Sequence, residues 1–273
     1  MKKAINGWAF PKEMDLNQVL AAARDAGFDG YEACMSEDGF LRLGSWREDS
    51  ESIRQAAGET GLEVPSIASG LNWKYPLSSP DDKVAEKGLQ VVRESLQAAN
   101  LLGAKAVLVV PGVVTEDVPY SYAYARSMEN LKKVMPLAED LGVDVGVENV
   151  WNKFLLSPLE FKKFLEELGS ERAKAYFDVG NVLVNGYPQD WIRTLGEYVS
   201  CVHVKDFKTE VGNIRGFTYL LQGDVNWPEV MKAFTEVGYD YYLVAELGPF
   251  KFFPTKMLYD TSSSLDRIIS LAK

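Results

Sequence analysis

The chain has 273 residues, a length that allows two typical domains but that a single α/β barrel also reaches. Hydrophobic residues make up 47% of the chain and charged residues 25%, which excludes intrinsic disorder and indicates a globular protein with a large core. With 29 basic and 39 acidic residues the formal net charge is −10, and such a field repels phosphate backbones and anionic membrane surfaces. We therefore expect neither a nucleic-acid partner nor a membrane partner.

The first residues, MKKAINGWAF, contain no apolar stretch long enough for a signal peptide. Nowhere does a run of about eighteen apolar residues suggest a transmembrane helix. Cys34 and Cys201 lie far apart in apolar segments without CxxC spacing, which is typical of reduced structural thiols. These features predict a cytoplasmic protein.

Short apolar runs alternate with longer amphipathic stretches along the whole chain. The apolar runs predict eight β-strands: AINGWAF (4–10), GYEACM (30–35), VPSIAS (64–69), AVLVVPG (106–112), DVGVENV (144–150), AKAYFDVG (173–180), SCVHVKDF (200–207) and YYLVAEL (241–247). The stretches after them predict helices near 16–26, 47–60, 80–102, 121–141, 157–168, 188–195, 226–238 and 255–271. In the fifth of these, Ser157 is suited to cap the helix and Pro158 to occupy its first turn.

Strict alternation of strands and helices predicts a parallel sheet covered by helices. At about 250 residues, a closed (β/α)₈ barrel is the economical form of such a sheet, and an open doubly wound sheet is the alternative. No linker rich in Pro, Gly or Ser divides the chain, so we predict one α/β domain, a single (β/α)₈ TIM barrel, over residues 1–273. The loops at 70–80, 111–120 and 207–224 are long, which is typical of functional loops in a compact barrel.

An ionisable residue ends each of the last four predicted strands. These residues are Glu148, Asp178, His203 and Glu246, and His203 is the only histidine of the chain. Because the chemistry of a TIM barrel lies at the C-terminal ends of its strands, we expect the four side chains to converge. One such carboxylate alone would suggest an ion pair or a loop cap, but three carboxylates in close proximity must share protons or bind a cation. Carboxylate and imidazole ligands together suit Mn²⁺, Co²⁺, Mg²⁺ or Zn²⁺, so the pattern predicts one divalent metal ion.

Five segments carry a resemblance to a known family: VENVWNKFLLSPLEF (147–161), YFDVGN (176–181), VHVKD (202–206), QGDVNWPEV (222–230) and VAELG (244–248). They resemble the sugar isomerase/epimerase group, whose members have a xylose-isomerase-like TIM barrel. This group contains ketose 3-epimerases and the pentulose- and hexulose-phosphate 3-epimerases and isomerases. The resemblance covers nearly the whole chain and is strongest over residues 144–248.

The resemblance implies an activity and roles for the strand-end residues. Glu148, Asp178, His203 and Glu246 would be the ligands of one metal ion, commonly manganese in such proteins. Glu148 and Glu246 would also be the paired acid and base of a C3 epimerisation through a metal-stabilised cis-enediolate. The same pair could instead move a proton between C1 and C2 and so catalyse aldose–ketose isomerisation. Several free-ketose epimerases have a histidine where this chain has Asn181, and DVGN is closer to the phosphorylated-pentulose branch.

A sugar or sugar phosphate needs further partners at the barrel mouth. The candidates for substrate binding are Trp8, Glu32, Asn72, Asn149, Lys205 and Arg215. Trp8 is suited to the apolar face of a sugar, and Glu32 to a hydroxyl group. A phosphate group would need cations, for which Lys205, Lys208 and Arg215 on the loop after the seventh strand are the candidates. The residues leave open whether the substrate is phosphorylated.

The composition excludes some activities of similar barrels and leaves others open. The apurinic endonuclease type needs many histidines and a basic surface, so one histidine and a charge of −10 exclude it. The xylose isomerases themselves need two metals and additional histidines. Single-metal lyases such as inosose or dehydroshikimate-type dehydratases stay open, as does a non-catalytic sugar-binding barrel. A metal-free glycosidase pair of Glu148 and Glu246 is disfavoured, because Asp178 and His203 beside them suit a ligand set.

The segment FKFFPTKMLY (250–259) concentrates aromatic side chains in a loop and the start of a helix. Exposed aromatic residues at this density favour association between subunits. We therefore predict a homodimer or a homotetramer.

Overall fold

The computed structural model of the protein describes residues 1–272, and a closed parallel sheet lies at its centre. The eight strands of the barrel are β1 (Lys2–Asn6), β2 (Gly30–Ser36), β3 (Ser66–Ser69), β4 (Ala106–Val109), β5 (Asp144–Glu148), β6 (Ala173–Asp178), β7 (Val199–Val204) and β8 (Tyr242–Ala245). Each strand pairs in parallel with the strands before and after it in the chain, and β1 pairs with both β2 and β8. The closure confirms the predicted (β/α)₈ barrel and excludes the open sheet.

Helices surround the barrel and continue into its loops. The described residues contain α1 (Leu16–Asp25), α2 (Trp46–Thr60), α3 (Leu71–Lys74), α4 (Asp82–Leu102), α5 (Tyr120–Lys132), α6 (Met135–Leu141), α7 (Pro158–Leu168), α8 (Val179–Val182), α9 (Pro188–Leu195), α10 (Trp227–Glu236) and α11 (Pro254–Ile269). The N-cap of α7 is as predicted, because the Ser157 side chain accepts a hydrogen bond from the Glu160 backbone. Within the described chain, no helix is long and apolar enough to cross a membrane.

Two apolar layers hold the barrel together. The larger layer lies between the sheet and the helices and contains aromatic side chains such as Phe161, Phe164, Phe177 and Phe234. A smaller cluster joins Ala68, Ala106, Leu108, Val110, Tyr176 and Cys201. Its strand residues have the same alternation as the strand-end residues Asp178 and His203, so this cluster forms the floor beneath them.

The two largest differences from the prediction concern the first strand and the helix at 121–141. The first strand was predicted to reach residue 10, but β1 ends at Asn6, whose side chain accepts a hydrogen bond from the Trp8 backbone at 2.7 Å. This bond starts a 3₁₀ turn, Gly7–Ala9, that carries Trp8 at the barrel mouth. The helix predicted at 121–141 is two helices, α5 and α6. Pro136 in the first turn of α6 has no N–H to donate to the preceding turn, so the helix is interrupted there.

The buried carboxylate of Asp206 holds the long loop between β7 and α10 through hydrogen bonds. Asp206 accepts hydrogen bonds from the backbone of Leu221 at 3.0 Å and of Val225 at 3.1 Å, and from the Trp227 indole at 3.1 Å. A short antiparallel pair, Asp206–Phe207 with Phe217–Thr218, lies in the same loop. These contacts hold Phe217 beside the mouth of the barrel, where the strand ends converge.

Candidate active site

The four ionisable strand-end residues lie together at one end of the barrel. Glu148 ends β5, Asp178 ends β6, His203 lies near the end of β7, and Glu246 directly follows β8. One potential ligand atom of each residue lies within 4.8 Å of those of the others. The parallel barrel therefore produces the convergence that the strand-end positions predicted.

The imidazole of His203 supplies a direct test of whether this group fits a metal ion. Its Nε2 atom lies 2.7 Å from Glu32 Oε2, so that nitrogen has a partner. Its Nδ1 atom is buried without a hydrogen-bond partner among the described residues, and it faces Glu246 Oε2 at 3.7 Å and Glu148 Oε1 at 3.9 Å. Buried polar atoms are rarely left unpaired, and a ring nitrogen held in this way is typical of a metal ligand. The donor set of one nitrogen and three carboxylates therefore fits one divalent ion.

Glu32 lies behind His203, and its position differs from the predicted substrate contact. The side chain is fully buried. Its oxygens accept hydrogen bonds from Asn6 at 2.5 Å and Ser66 at 2.6 Å, and also from the Tyr176 hydroxyl, besides the contact with His203. Burial raises its pKa, but His203, Ser66 and Tyr176 together lower the pKa by a larger amount. The net shift is therefore downward, and Glu32 stays ionised. Glu32 thus orients the imidazole instead of facing the substrate cavity.

A lysine provides positive charge within the site. Lys205 Nζ donates to Asp178 Oδ2 at 2.6 Å and also to Glu246 Oε2. Burial opposes the charged form of this lysine, but the Asp178 and Glu246 carboxylates outweigh it, so the pKa of Lys205 is raised. The ammonium group is therefore charged at every physiological pH.

The two glutamates of the site have pKa values shifted in opposite directions. Burial, together with the negative charge of Glu246, raises the pKa of Glu148 to about 8. Burial also acts to raise the pKa of Glu246, but Lys205 and His203 lower it more, so the net shift is downward. For His203, burial favours the neutral form, whereas Glu32 and Glu246 raise the pKa to about 9. Near neutral pH and without a bound cation, Glu148 therefore holds a proton and Glu246 is ionised.

A cavity of about 310 Å³ opens above these groups. Its aromatic and aliphatic walls are formed by Trp8, Leu108, Val110, Trp73, Val150, Trp151, Ile214 and Phe217, and its polar side chains by Ser69, Glu148, Asn181, Lys205 and Glu246. The Trp151 indole donates to the Asn181 backbone at 2.8 Å and packs against Phe217 with ring centroids 4.9 Å apart. The volume suits a small molecule, and indole walls suit the apolar face of a sugar.

The remaining predicted substrate residues divide into two groups. Trp8 and Lys205 line the cavity. Asn72 is buried beside α4, with Nδ2 3.4 Å from the Gly88 carbonyl oxygen. Asn149 exchanges two hydrogen bonds with the backbone of Asp178, both at 2.8 Å, and so positions that carboxylate. Arg215 is exposed in the turn next to Ile214 and is not part of the lining.

Several residues of the site were not identified from the sequence. Tyr176 and Ser66 bind Glu32, and the signal for Tyr176 was its position two residues before Asp178, which places it on the same face of β6. Ser69, the last residue of β3, and Trp73 in α3 line the cavity, and nothing in the local sequence distinguishes them from packing residues. Phe217 reaches the cavity only through the folded loop after β7.

Two bacterial epimerases are similar in sequence to this chain. The L-ribulose-5-phosphate 3-epimerase UlaE of Escherichia coli (strain K12) is 28% identical over 196 residues, which cover 70% of this chain and 69% of that protein. The protein of the same name from Salmonella heidelberg (strain SL476) is 27% identical over the same length, with the same coverage.

Solved structures share the fold over almost the entire chain. A structure described as L-ribulose 3-epimerase has a TM-score of 0.81 at 20% identity and covers 99% of this chain and 95% of its own. The structure of a D-psicose 3-epimerase in the presence of D-fructose has a TM-score of 0.80 at 18% identity. The match covers 100% of this chain and 99% of that chain. The family described as "Xylose isomerase-like TIM barrel" matches residues 20–263. The chain therefore belongs to the xylose isomerase-like TIM barrel family.

Proposed function

We propose that the protein is a metal-dependent isomerase that epimerises a ketose or a ketose phosphate at C3. The observation that carries the proposal is the convergence of Glu148, Asp178 and Glu246 on His203, whose Nδ1 atom has no hydrogen-bond partner among the described residues. The relatives named 3-epimerases support the choice of reaction. The aromatic cavity above the pair supports the choice of a sugar.

Glu148, Asp178, His203 and Glu246 would hold one divalent ion, for which we propose Mn²⁺. When bound, such an ion supplies positive charge that stabilises an enediolate and makes the C3 hydrogen easier to remove. Asn149 holds Asp178 in place, and Glu32 is bonded to Nε2 of His203, so Nδ1 is the nitrogen that would bind the ion once its proton is displaced. Asp178, His203 and Glu246 therefore each have a neighbour that orients them or an ion pair that fixes them.

The two glutamates would move the proton. Glu246, ionised near neutral pH, accepts the proton from C3 in one direction of the reaction, and Glu148 returns a proton to the opposite face of the carbon. In the reverse direction the two residues exchange roles. Trp8 and Trp151 flank the sugar, and their apolar faces exclude water from the reacting carbon.

We propose a cytoplasmic homodimer or homotetramer as the working form. Phe252 and Phe253 support it, because their side chains are 71% and 80% exposed in the loop before α11.

Arg215, exposed beside the cavity wall, supports a phosphorylated substrate, since a substrate phosphate is an anion that a guanidinium binds well.

The proposed reaction predicts hydrogen exchange at C3. In D₂O with Mn²⁺, the protein should introduce deuterium at C3 of one member of a panel of free and phosphorylated ketoses, with formation of the epimer. Glu246→Gln should lower this exchange by about 10²-fold or more, because its amide cannot accept the proton. Glu210→Gln, in an exposed position of the loop after β7, is the matched control and should leave exchange unchanged. NMR spectroscopy follows both events.

The carbon atom that takes up deuterium distinguishes the possible reactions. Deuterium at C1 without the C3 epimer would replace epimerisation by aldose–ketose isomerisation at the same glutamate pair. No exchange on any ketose by protein with bound Mn²⁺ would contradict the proposal.

The position of Glu32 predicts an effect on metal binding. Glu32→Gln removes the charge that orients His203, so the affinity for Mn²⁺ should fall by about 10-fold to 100-fold. Titration followed by the electron paramagnetic resonance (EPR) signal of free Mn²⁺ gives the dissociation constant. Glu37→Gln, just past the end of β2, is the control, because that carboxylate bonds to Lys74 and Tyr75 at the surface. Equal affinity of Glu32→Gln and the unchanged protein would show that Glu32 does not support the ligand set.

The pKa values predict the pH dependence of metal binding. His203, with a pKa of about 9, holds a proton that a metal ion must displace from the ring nitrogen. The affinity for Mn²⁺ should therefore increase as the pH rises through neutrality and level off once the pH exceeds the pKa of His203. Calorimetry in buffers of different ionisation enthalpy should detect proton release at pH 7. A constant affinity over this interval, without proton release, would contradict the assigned protonation states.

A further inference from the structure

Lys205 bonds to two of the carboxylates that the proposed metal ion would use. Its ammonium group donates to Asp178 Oδ2 at 2.6 Å and to Glu246 Oε2, and both carboxylates belong to the proposed ligand set. The lysine side chain is only 11% exposed, so these are interior ion pairs and not flexible surface contacts. A metal ion and this ammonium group would therefore draw on the same two carboxylates.

Charge makes joint occupation unfavourable. A divalent ion coordinated by Asp178 and Glu246 would lie at ion-pair distance from an ammonium group that still bonded to those two residues. Two cations so close in a buried site repel each other strongly, because little water screens them. When one cation is on these oxygens, the other is driven away.

The surroundings of Lys205 limit where the ammonium group could move. The stem of Lys205 is held tightly, because a Cβ atom placed on Gly180 would lie 2.7 Å from Lys205 Cγ and 2.9 Å from its carbonyl oxygen. The end of the side chain lies 5.2 Å from the centre of the Phe217 ring and lines the cavity. Rotation about the last bonds of the side chain therefore carries the ammonium group from the carboxylates into the cavity, along the face of Phe217.

We propose that Lys205 and the metal ion compete for Asp178 and Glu246, and that metal binding transfers the Lys205 ammonium group into the substrate cavity. There it donates hydrogen bonds to an oxygen of the substrate. This inference rests on the proposed metal site, and it gives that site an order of events. Only the metal-loaded protein offers a free cation to the substrate, so metal binding prepares the cavity as well as the reacting carbon.

The competition is tested by the affinity of the protein for Mn²⁺ alone, measured by the EPR signal of the free ion. Lys205→Met keeps the stem but removes the competing charge, so it should bind Mn²⁺ about tenfold more tightly or better, the effect that one charge at ion-pair distance has on a carboxylate. Lys205→Gln provides the same comparison with a hydrogen-bond donor retained, and it serves if Lys205→Met does not fold without metal. Lys208→Met removes an equal charge from an exposed position nearby and should change the affinity by less than about twofold.

A second measurement follows the lysine itself. Competitive acetylation with mass spectrometry compares the labelling of Lys205 and Lys208 in the unchanged protein, first with a chelator and then with Mn²⁺. The ratio of Lys205 to Lys208 labelling should rise with Mn²⁺, because the amine leaves its two carboxylate partners. An unchanged or lower ratio would overturn the transfer into the cavity.

The outcomes separate this inference from the metal site on which it rests. Mn²⁺ binding by the unchanged protein, with equal or weaker binding by both Lys205 variants, would overturn the competition and leave the metal site standing. Binding by the Lys205 variants but not by the unchanged protein would support the competition in its strongest form. Absence of binding in all of them would remove the metal site, and the competition with it.

Discussion

The concentration of negative charge at one end of the barrel is the constraint on which the rest of the site depends. Parallel strands that close into a barrel carry their C-terminal residues to a common end, and here they bring Glu148, Asp178 and Glu246 around His203 within 4.8 Å. Water would separate such charges, but these side chains lie almost entirely in the interior, where mutual repulsion is costly. Every neighbouring polar group can be understood as a response. Lys205 places a positive charge on two of the carboxylates, and Glu148 relieves the repulsion by holding a proton.

The support of His203 extends this constraint into the barrel floor. Glu32 could not lie buried without donors, and it receives them from Asn6 on β1, Ser66 on β3 and Tyr176 on β6. Four strands thus contribute to one hydrogen-bonded group that ends at the imidazole. The Tyr176 ring also packs against His203 with centroids 4.6 Å apart, which limits rotation of the imidazole. A rigid floor of this kind explains how a single histidine keeps its Nδ1 atom directed at two carboxylates. Preorganisation of this kind is what a site must have to bind a cation in one geometry.

Much of this arrangement was predictable from the sequence, and the failures have physical causes. The alternation of apolar runs and amphipathic stretches predicted the barrel, and the ionisable residue at the end of each late strand predicted the cluster, because both depend on local periodicity. Glu32 was recognised as a polar strand residue but was given a substrate contact, since the sequence does not show that β2 faces His203 across the barrel. Asn149 was assigned in the same way, and its amide instead bridges to the neighbouring strand. Trp73 and Phe217 reach the cavity from loops, whose paths are set by contacts such as those of Asp206 and not by any periodicity.

The central claim is that these four strand-end residues form one metal site, with His203 bound through Nδ1. Crystals of the protein grown with Mn²⁺ and measured at the manganese absorption edge test this claim most directly. The account predicts one anomalous peak within coordination distance of His203 Nδ1 and of carboxylate oxygens of Glu148, Asp178 and Glu246. It also predicts that Lys205 Nζ lies away from Asp178 in the electron density of the same crystals. A peak elsewhere in the protein and none between these residues, under conditions in which Mn²⁺ binds in solution, would contradict the account.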